Sequence, residues 1–297
     1  MATLGIDLGG TKIALGVLEG EELVYEARVA TPGEGAEAVL QVMTAAAREA
    51  LAESPAAVTA VGVGSPGPID YQTGVVTYAP NIPDFANVPV VEHLRQALGL
   101  PVFLENDANA AALAEHHLGA ARGATNSFFV TVSTGIGGGV IVNNRVWRGA
   151  HGQAGELGHV TVLPGGPVCG CGNRGCLEAV ASGRALARDA SYAYARPVET
   201  PQLFELWRGG EAKAAALVAG AAEYLGVALA DVQKLLDPEV IVIGGGVGVG
   251  GGEEYLNLVR RAYAEHLLVW RQAEIRPARL LERAGVIGAA LVARFAN

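Results

Sequence analysis

Short apolar runs at residues 3–8, 12–18 and 23–30, parted by Gly9-Gly10-Thr11 and Glu19-Gly20, predict a three-stranded meander with a glycine turn at its first corner. Residues 36–52 then carry apolar side chains at helical spacing, and residues 58–65 predict a buried strand stopped by Pro66-Gly67-Pro68. A further strand is expected at 101–104 and a helix at 107–121. From residue 127 the plan restarts, with a strand at 127–132, a glycine turn at 135–139, a strand at 140–142, the turn Asn143-Asn144 and then Val146-Trp147. This restart predicts an internal duplication. An insertion from about 148 to 210 interrupts the second copy, after which Leu217, Ala221, Leu225, Leu229, Val232 and Leu236 mark the buried stripe of a helix. Asp237-Pro238 ends it, a strand is expected at 240–243, Gly244-Gly245-Gly246 leads to a helix from about Glu253 to Leu268, and 286–295 predicts a last amphipathic helix. Meanders alternating with helices imply an α/β protein in which a mixed sheet with helices on its faces occurs twice, the two lobes enclosing a cleft.

Composition narrows the partners. The 297 residues, 51% hydrophobic and 17% charged, suffice for sizeable cores and about two domains. A formal net charge of -9 without any run of Lys or Arg argues against a nucleic-acid partner. No basic n-region precedes a long apolar h-region, and no apolar run approaches a membrane span, so a soluble cytoplasmic protein is expected. Only Lys12, Lys213 and Lys234 are lysines, a bias that fits either genome composition or heat adaptation.

The three cysteines fall within eight residues, Cys169-Gly170-Cys171 and Cys176, with His159 ten residues upstream. Three thiolates and an imidazole on one short loop suit a tetrahedral zinc ion, with His151 as a competing fourth ligand. Buried thiols or a disulfide are the alternative, although an odd count without a secretory signal argues against a disulfide framework.

Asp7-Leu8-Gly9-Gly10-Thr11-Lys12 sets two glycines, a hydroxyl and an ammonium after a carboxylate, a combination that can cradle an anion while Asp7 orients a hydrated magnesium. An ordinary tight turn whose glycines permit positive φ is the bland reading. Ser133-Thr134-Gly135-Ile136-Gly137-Gly138-Gly139 repeats the chemistry, and Gly244-Gly245-Gly246 offers a flat wall for a nucleoside. Neither turn ends as a Walker loop does. Gly246, Gly248 and Gly251 fit a dinucleotide pattern, but Glu274 opens the next strand where that fingerprint wants an acid closing it. In Glu105-Asn106-Asp107, Asp107 is by default a helix N-cap, and it can also accept the proton of an attacking hydroxyl in phosphoryl transfer. Asn106 offers a polyol both donor and acceptor. Glu156, His159 and Glu178 cluster around the cysteine loop, where solvated surface is the dull alternative for the two glutamates.

The joint occurrence of Asp7 to Lys12, Ser65-Pro66-Gly67, Asn81-Ile82-Pro83, Glu105-Asn106-Asp107, Ser133 to Gly139, Glu156-x-Gly158-His159 and Cys169-Gly170-Cys171-Gly172-x-x-Gly175-Cys176-x-Glu178 closely resembles the ROK family (repressors, open reading frames and kinases), its bacterial glucokinases most of all. The resemblance implies an actin-like, ribonuclease-H-like fold of two α/β domains with an interdomain cleft: residues 1–120 with 285–297, and residues 121–284 carrying the zinc loop. It implies ATP-dependent phosphorylation of a hexose, glucose to glucose 6-phosphate, with Asp107 as base. Gly67, Asn81, Asn106, Asp107, Glu156, His159 and Glu178 would hold the sugar. Asp7, Gly9, Gly10, Thr11, Lys12, Thr134, Gly135, Gly245 and Gly246 would hold ATP with Mg2+, and His159, Cys169, Cys171 and Cys176 a structural Zn2+. It further implies a homodimer or homotetramer. The chain departs from the family's Asn-x-Pro-Gly-Trp with Asn81-Ile82-Pro83-Asp84-Phe85, where Phe85 is left to supply the aromatic wall. A kinase for fructose, mannose or an N-acetylhexosamine is the first alternative. A ROK sugar-responsive repressor is a second, although a strand starting near residue 3 leaves no room for an N-terminal DNA-binding module. A zinc hydrolase, the third, needs an open coordination position.

Overall fold

A computed structural model describes residues 1–267 and 271–296 as two compact units. The first comprises residues 1–122, 145–154 and 282–296 among those described. Its strands are β1 (Ala2–Leu8), β2 (Lys12–Glu19), β3 (Glu22–Ala30), β4 (Val58–Ser65), β5 (Ile69–Asp70), β6 (Val75–Tyr78), β7 (Ala86–Val88) and β8 (Val102–Asn106). Its helices are α1 (Ala36–Glu53), α2 (Val90–Leu98) and α3 (Asp107–His117). The second unit, residues 123–144 and 155–281, begins with β9 (Ser127–Val132) and β10 (Ile136–Val142); β11 (Arg145–Val146) follows in chain order but belongs to the first. Then come α4 (Leu177–Ala181), α5 (Gly183–Tyr194), α6 (Thr200–Arg208), α7 (Ala212–Leu236), β12 (Val240–Gly244), α8 (Gly245–Gly250), α9 (Gly252–Glu265) and β13 (Glu274–Pro277). Helix α10 (Ala284–Phe295) closes the first unit.

The restart in the sequence is a repeat of topology. In the first unit the order β3-β2-β1-β4-β8 contains β2 antiparallel to β1, with β4 and β8 added in parallel. In the second, β10 runs antiparallel to β9, with β12 and β13 added in parallel. Within each sheet the parallel additions place strand C-terminal ends at the same rim of that sheet, where side chains with chemistry collect. The apolar runs bury as expected: Leu4, Ile6, Leu8, Ile13 and Val63 join Val39 and Met43 of α1 in one core. On the opposite face α10 lies so close to the sheet that a Cβ on Gly62 would fall 1.8 Å from the carbonyl oxygen of Ala289.

Several boundaries differ from expectation. Helix α3 stops at His117 rather than Ala121, because the chain turns back and the Glu115 carboxylate accepts the N–H of Ala120 at 2.8 Å. Strand β10 begins at Ile136, so Gly137, Gly138 and Gly139 are strand residues and the turn is only Ser133-Thr134-Gly135. On α7 the buried seam includes Ala214, Val218, Ala222, Leu225 and Leu229, and Leu217 and Leu236 are only half-buried. The expected helix end at Leu268 lies outside the described residues. Among the described residues one helix, α7, is long and apolar enough by length and composition to cross a membrane, which corrects the expectation that no such run exists. Half of its apolar window is buried, and it packs against α4, α5, α6 and α9. Helices α2, α4, α5, α6 and α8 and strands β5 to β7 were not anticipated.

Candidate functional site

In the first unit β1 delivers Asp7 to the turn that follows it. The turn is closed by the Gly9 N–H donating to the Lys12 carbonyl at 3.0 Å, and pinned by the Thr31 hydroxyl donating to the Gly9 carbonyl at 2.7 Å. Neither Gly9 nor Gly10 has positive φ, so conformational licence is not why they are glycines. Close approach is the reason at Gly10, where a Cβ would lie 2.8 Å from the Asn81 carbonyl oxygen. Asn81 and the turn are therefore neighbours. The Lys12 ammonium stands 3.7 Å from Glu282, which also takes Arg28 at 2.9 Å. Asp7 is walled by Gly285, where a Cβ would fall 2.3 Å from Oδ2. Burial lifts its carboxyl to about 6 against the opposing pull of Lys12. A buried carboxylate held this way gains by meeting a cation.

At the end of β8 the cap falls to Asn106 and not to Asp107, which is the first helical residue of α3. Asn106 Oδ1 accepts the N–H groups of Ala108 at 2.9 Å and Asn109 at 3.2 Å, so its donor end is what remains for a ligand. Asp107 Oδ1 accepts the Ala108 N–H at 2.8 Å. Gly67, at φ 88°, closes against Tyr78, whose carbonyl oxygen would be 1.7 Å from a Cβ. Phe85 is 1% exposed within the first unit's core, so it supplies no open aromatic wall. Asp84, standing where the family pattern has glycine, adopts φ 51°.

In the second unit the turn Ser133-Thr134-Gly135 is gripped from α4 and α5. The N–H of Gly183 donates to the Ser133 carbonyl at 2.7 Å, that of Arg184 to the Thr134 carbonyl at 3.3 Å, and that of Ile136 to Glu178 Oε2 at 3.0 Å. The glycines of β10 admit the loop carrying Glu156 and His159: a Cβ on Gly138 would lie 2.5 Å from the Gly155 carbonyl oxygen, and one on Gly158 lies 2.1 Å from that of Ile136. Glu156 is exposed, and His159 Nε2 lies 3.9 Å from its Oε2. Beside the turn opens a cavity of about 790 Å³ lined by Ser133, Thr134, Gly183, Phe204 and Gly246, with Arg184, Arg188 and Arg208 at its wall. Gly245, at φ 83°, lies against the Val132 carbonyl. Arg188 pairs with Asp189 at 2.7 Å and Arg208 donates to the Gly250 carbonyl at 2.9 Å. The Arg184 guanidinium makes no hydrogen bond or ion pair among the described residues. These wall residues escaped the sequence reading, although Glu199 and Gln202 form a capping box with Pro201 between them, a legible start for α6.

The cysteine loop is a short ribbon, with bridges Thr161 to Cys176 and Val168 to Arg174. Cys171 and Cys176 sulfurs are 3.7 Å apart, Cys169 sulfur is 3.6 Å from His159 Nδ1, and all four ligand atoms lie within 4.8 Å of one another. Tetrahedral ligands at zinc–sulfur distances of about 2.3 Å stand about 3.8 Å apart, so the set fits zinc. It draws on His159, and His151 belongs to the first unit. Burial and the crowding of neighbouring thiols push Cys176 up to about 12, whereas the Asn173 backbone and the other thiols lower Cys171. A dication would draw every thiol into the thiolate form. Cys176 caps α4, whose first turn carries Glu178.

Both units thus present a tight glycine-containing turn after a strand of equivalent topology, and the second adds a three-cysteine, one-histidine loop. The family model described as ROK family matches residues 3–295. The chain belongs to the ROK family. A ROK hexokinase from Thermus thermophilus of known structure is 52% identical to this ROK chain, with a TM-score of 0.95 over 100% of this chain and 99% of that one. A ROK family glucokinase from Streptomyces griseus, solved in complex with glucose and AMPPNP, is 38% identical with a TM-score of 0.85 over 99% of this chain and 100% of that one. An N-acetylmannosamine kinase of Haemophilus influenzae is 36% identical over 98% of this chain and 94% of its own length. With membership comes the actin-like, ribonuclease-H-like two-domain α/β fold.

Proposed function

We propose that this chain is an ATP-dependent hexose kinase that transfers the terminal phosphoryl group of ATP to the 6-hydroxyl of glucose. The observation that carries the reading is the full-length similarity to a glucokinase solved with glucose and an ATP analogue, joined to the phosphate turn and cavity of the second unit. Phosphoryl transfer asks a protein mainly to position and to stabilise charge. Asp107 orients the attacking hydroxyl and accepts its proton. Asn106 donates its amide to the sugar, with Gly67, Asn81, Glu156, His159 and Glu178 as further contacts. Gly9, Gly10, Thr11 and Lys12, together with Thr134 and Gly135, supply donors to the phosphates, and Gly245-Gly246 borders the nucleoside. Arg184, uncommitted at the cavity wall, adds a cation for the phosphates. Asp7 is the carboxylate placed to meet the magnesium that accompanies ATP. Zinc, when bound by His159, Cys169, Cys171 and Cys176, supplies a structural crosslink and no reacting group.

Turnover of purified protein with ATP and magnesium, measured across glucose, mannose, fructose, glucosamine and N-acetylmannosamine, tests the reading. Glucose is expected to give the highest kcat/KM, and N-acetylmannosamine is the first competitor because a kinase for it is nearly as similar. Asp107→Asn should cut kcat by about 10²- to 10⁴-fold with a much smaller change in sugar affinity. Near-normal turnover of that variant would remove Asp107 from the role of base. Absence of phosphoryl transfer to any hexose by the unaltered protein would end the kinase reading.

A further inference from the structure

Glu105 is a carboxylate with 0% of its side chain exposed, and the phosphoryl-transfer chemistry leaves it without a task. Its Oε1 accepts the Tyr71 hydroxyl at 2.8 Å, the Asn109 side-chain amide at 3.0 Å and the Asn106 backbone N–H at 3.0 Å. Its Oε2 takes Arg148 twice, from Nε at 2.7 Å and from Nη2 at 2.6 Å. The same guanidinium lies over the Tyr71 ring, 4.9 Å from its centroid. Burial, and then the charge of Glu105, hold the Tyr71 hydroxyl far above its ordinary range, so it stays a donor. The loop 148–154 is folded on itself by the Ala154 N–H donating to the Arg148 carbonyl at 3.1 Å, and Gly152 packs so near Tyr71 that a Cβ would meet the ring at 2.6 Å.

A buried charge is retained at a cost unless its partners are complete, and here they come from three separate parts of the chain. The helix end itself needs only its cap, which Asn106 already provides. We propose that Glu105 and Arg148 are positioning residues of the phosphoryl-transfer site. Their clamp fixes the Asn106 backbone, and with it the direction of the Asn106 amide and of Asp107, and fastens to that pair the segment that leads into Glu156. The proposal rests on the kinase reading for its consequence, though not for its geometry.

The purified, zinc-loaded chain and its variants Arg148→Met, Arg148→Lys and Glu105→Gln/Arg148→Met are compared by steady-state kinetics, thermal melting and amide hydrogen exchange. Arg148→Met is expected to lower kcat by about ten- to a hundredfold while the KM for ATP stays within about twofold, since displacement of a reacting group costs rate first. Arg148→Lys should recover only part of the rate, because an ammonium cannot make the two-pronged contact. In the double variant no buried charge is left unpaired, so melting should return towards the original value while kcat stays low. A clamp that only holds the fold together predicts instead that kcat returns with the melting temperature, and that result, or an Arg148→Met enzyme within twofold of normal kcat, overturns the proposal. Exchange reads the geometry without any catalysis: Arg148→Met should speed exchange of the Ala108 and Asn109 amides, and unchanged protection there also overturns it. Should the unaltered protein phosphorylate no hexose, the kinase reading falls on that assay alone and the exchange pattern still decides whether the clamp exists.

Discussion

Asn106 caps α3 with the oxygen of its amide, and the proposed function gives the other end, the NH2, to the sugar. Asn106→Asp keeps an oxygen for the Ala108 and Asn109 N–H groups but removes the only donor. Its melting temperature should stay within a few degrees of the original while the sugar KM rises at least about tenfold, as a lost hydrogen bond to a polar ligand costs over ~1 kcal/mol. An unchanged KM would exclude the amide as a sugar contact. Asp7 tests electrostatics at the same scale. Its carboxyl is raised from 3.8 to about 6 in the folded chain, so the folded state holds the proton over that window and the unfolded state does not. Stability attributable to this group is therefore present below pH 4 and lost as the pH rises towards 6. Asp7→Asn should stabilise the ligand-free protein at pH 7 by up to about 3 kcal/mol, and flatten stability between pH 4 and 6. Thermal melting across that range, without nucleotide or magnesium, measures it; a less stable variant at pH 7 would refute the assignment. The sequence disclosed Asp7, Asn106 and Asp107 as chemistry-bearing. It could not disclose which of the last two caps the helix, since that depends on backbone φ and ψ at a single peptide.

At the scale of elements, the cysteine ribbon is joined through α4 to the turn Ser133-Thr134-Gly135. It runs into α4, whose Glu178 holds the Ile136 N–H, and the α4–α5 junction holds the carbonyls of Ser133 and Thr134. Zinc is expected at one ion per chain by elemental analysis. Its removal by a chelator, or Cys171→Ser, should lower the melting temperature and raise the KM for both substrates, because a structural site contributes directly to folding. A metal-free preparation with full activity and stability would exclude that role. The metal ligands were legible because a thiolate set has a distinctive local spacing. The glycines of β10 were misread as a turn: glycine marks freedom or closeness, and only the folded chain shows that Gly138 stands against the backbone of Gly155. Helices α5 and α6 were legible, both by one-sided apolar faces that bury Leu186, Ala190, Leu203 and Phe204 and α6 also by the Glu199–Gln202 box, but the segment was read only as an insertion.

At the scale of the whole molecule, two sheets of equivalent strand order and direction account for two equivalent turns in one chain. The family resemblance implies a homodimer or homotetramer, for which light scattering should give twice or four times the 30.4 kDa of one chain. A concentration-independent monomer would refute it. Helix α7 illustrates the limit of composition at this scale, because its length and apolarity suit a membrane while its packing makes it the central helix of the second unit's helical layer. By itself the sequence determined the meanders, the duplication and the local grouping of His159 with three cysteines, all of which follow from short-range periodicity and spacing. Only the tertiary structure decided that Asn106 caps α3, that Phe85 is core, that Gly10 meets Asn81, and that Glu105, Tyr71 and Arg148 converge. The cap depends on backbone dihedrals at one peptide, and the others are contacts between residues far apart in the chain, whose energies depend on distance and burial that no local pattern encodes.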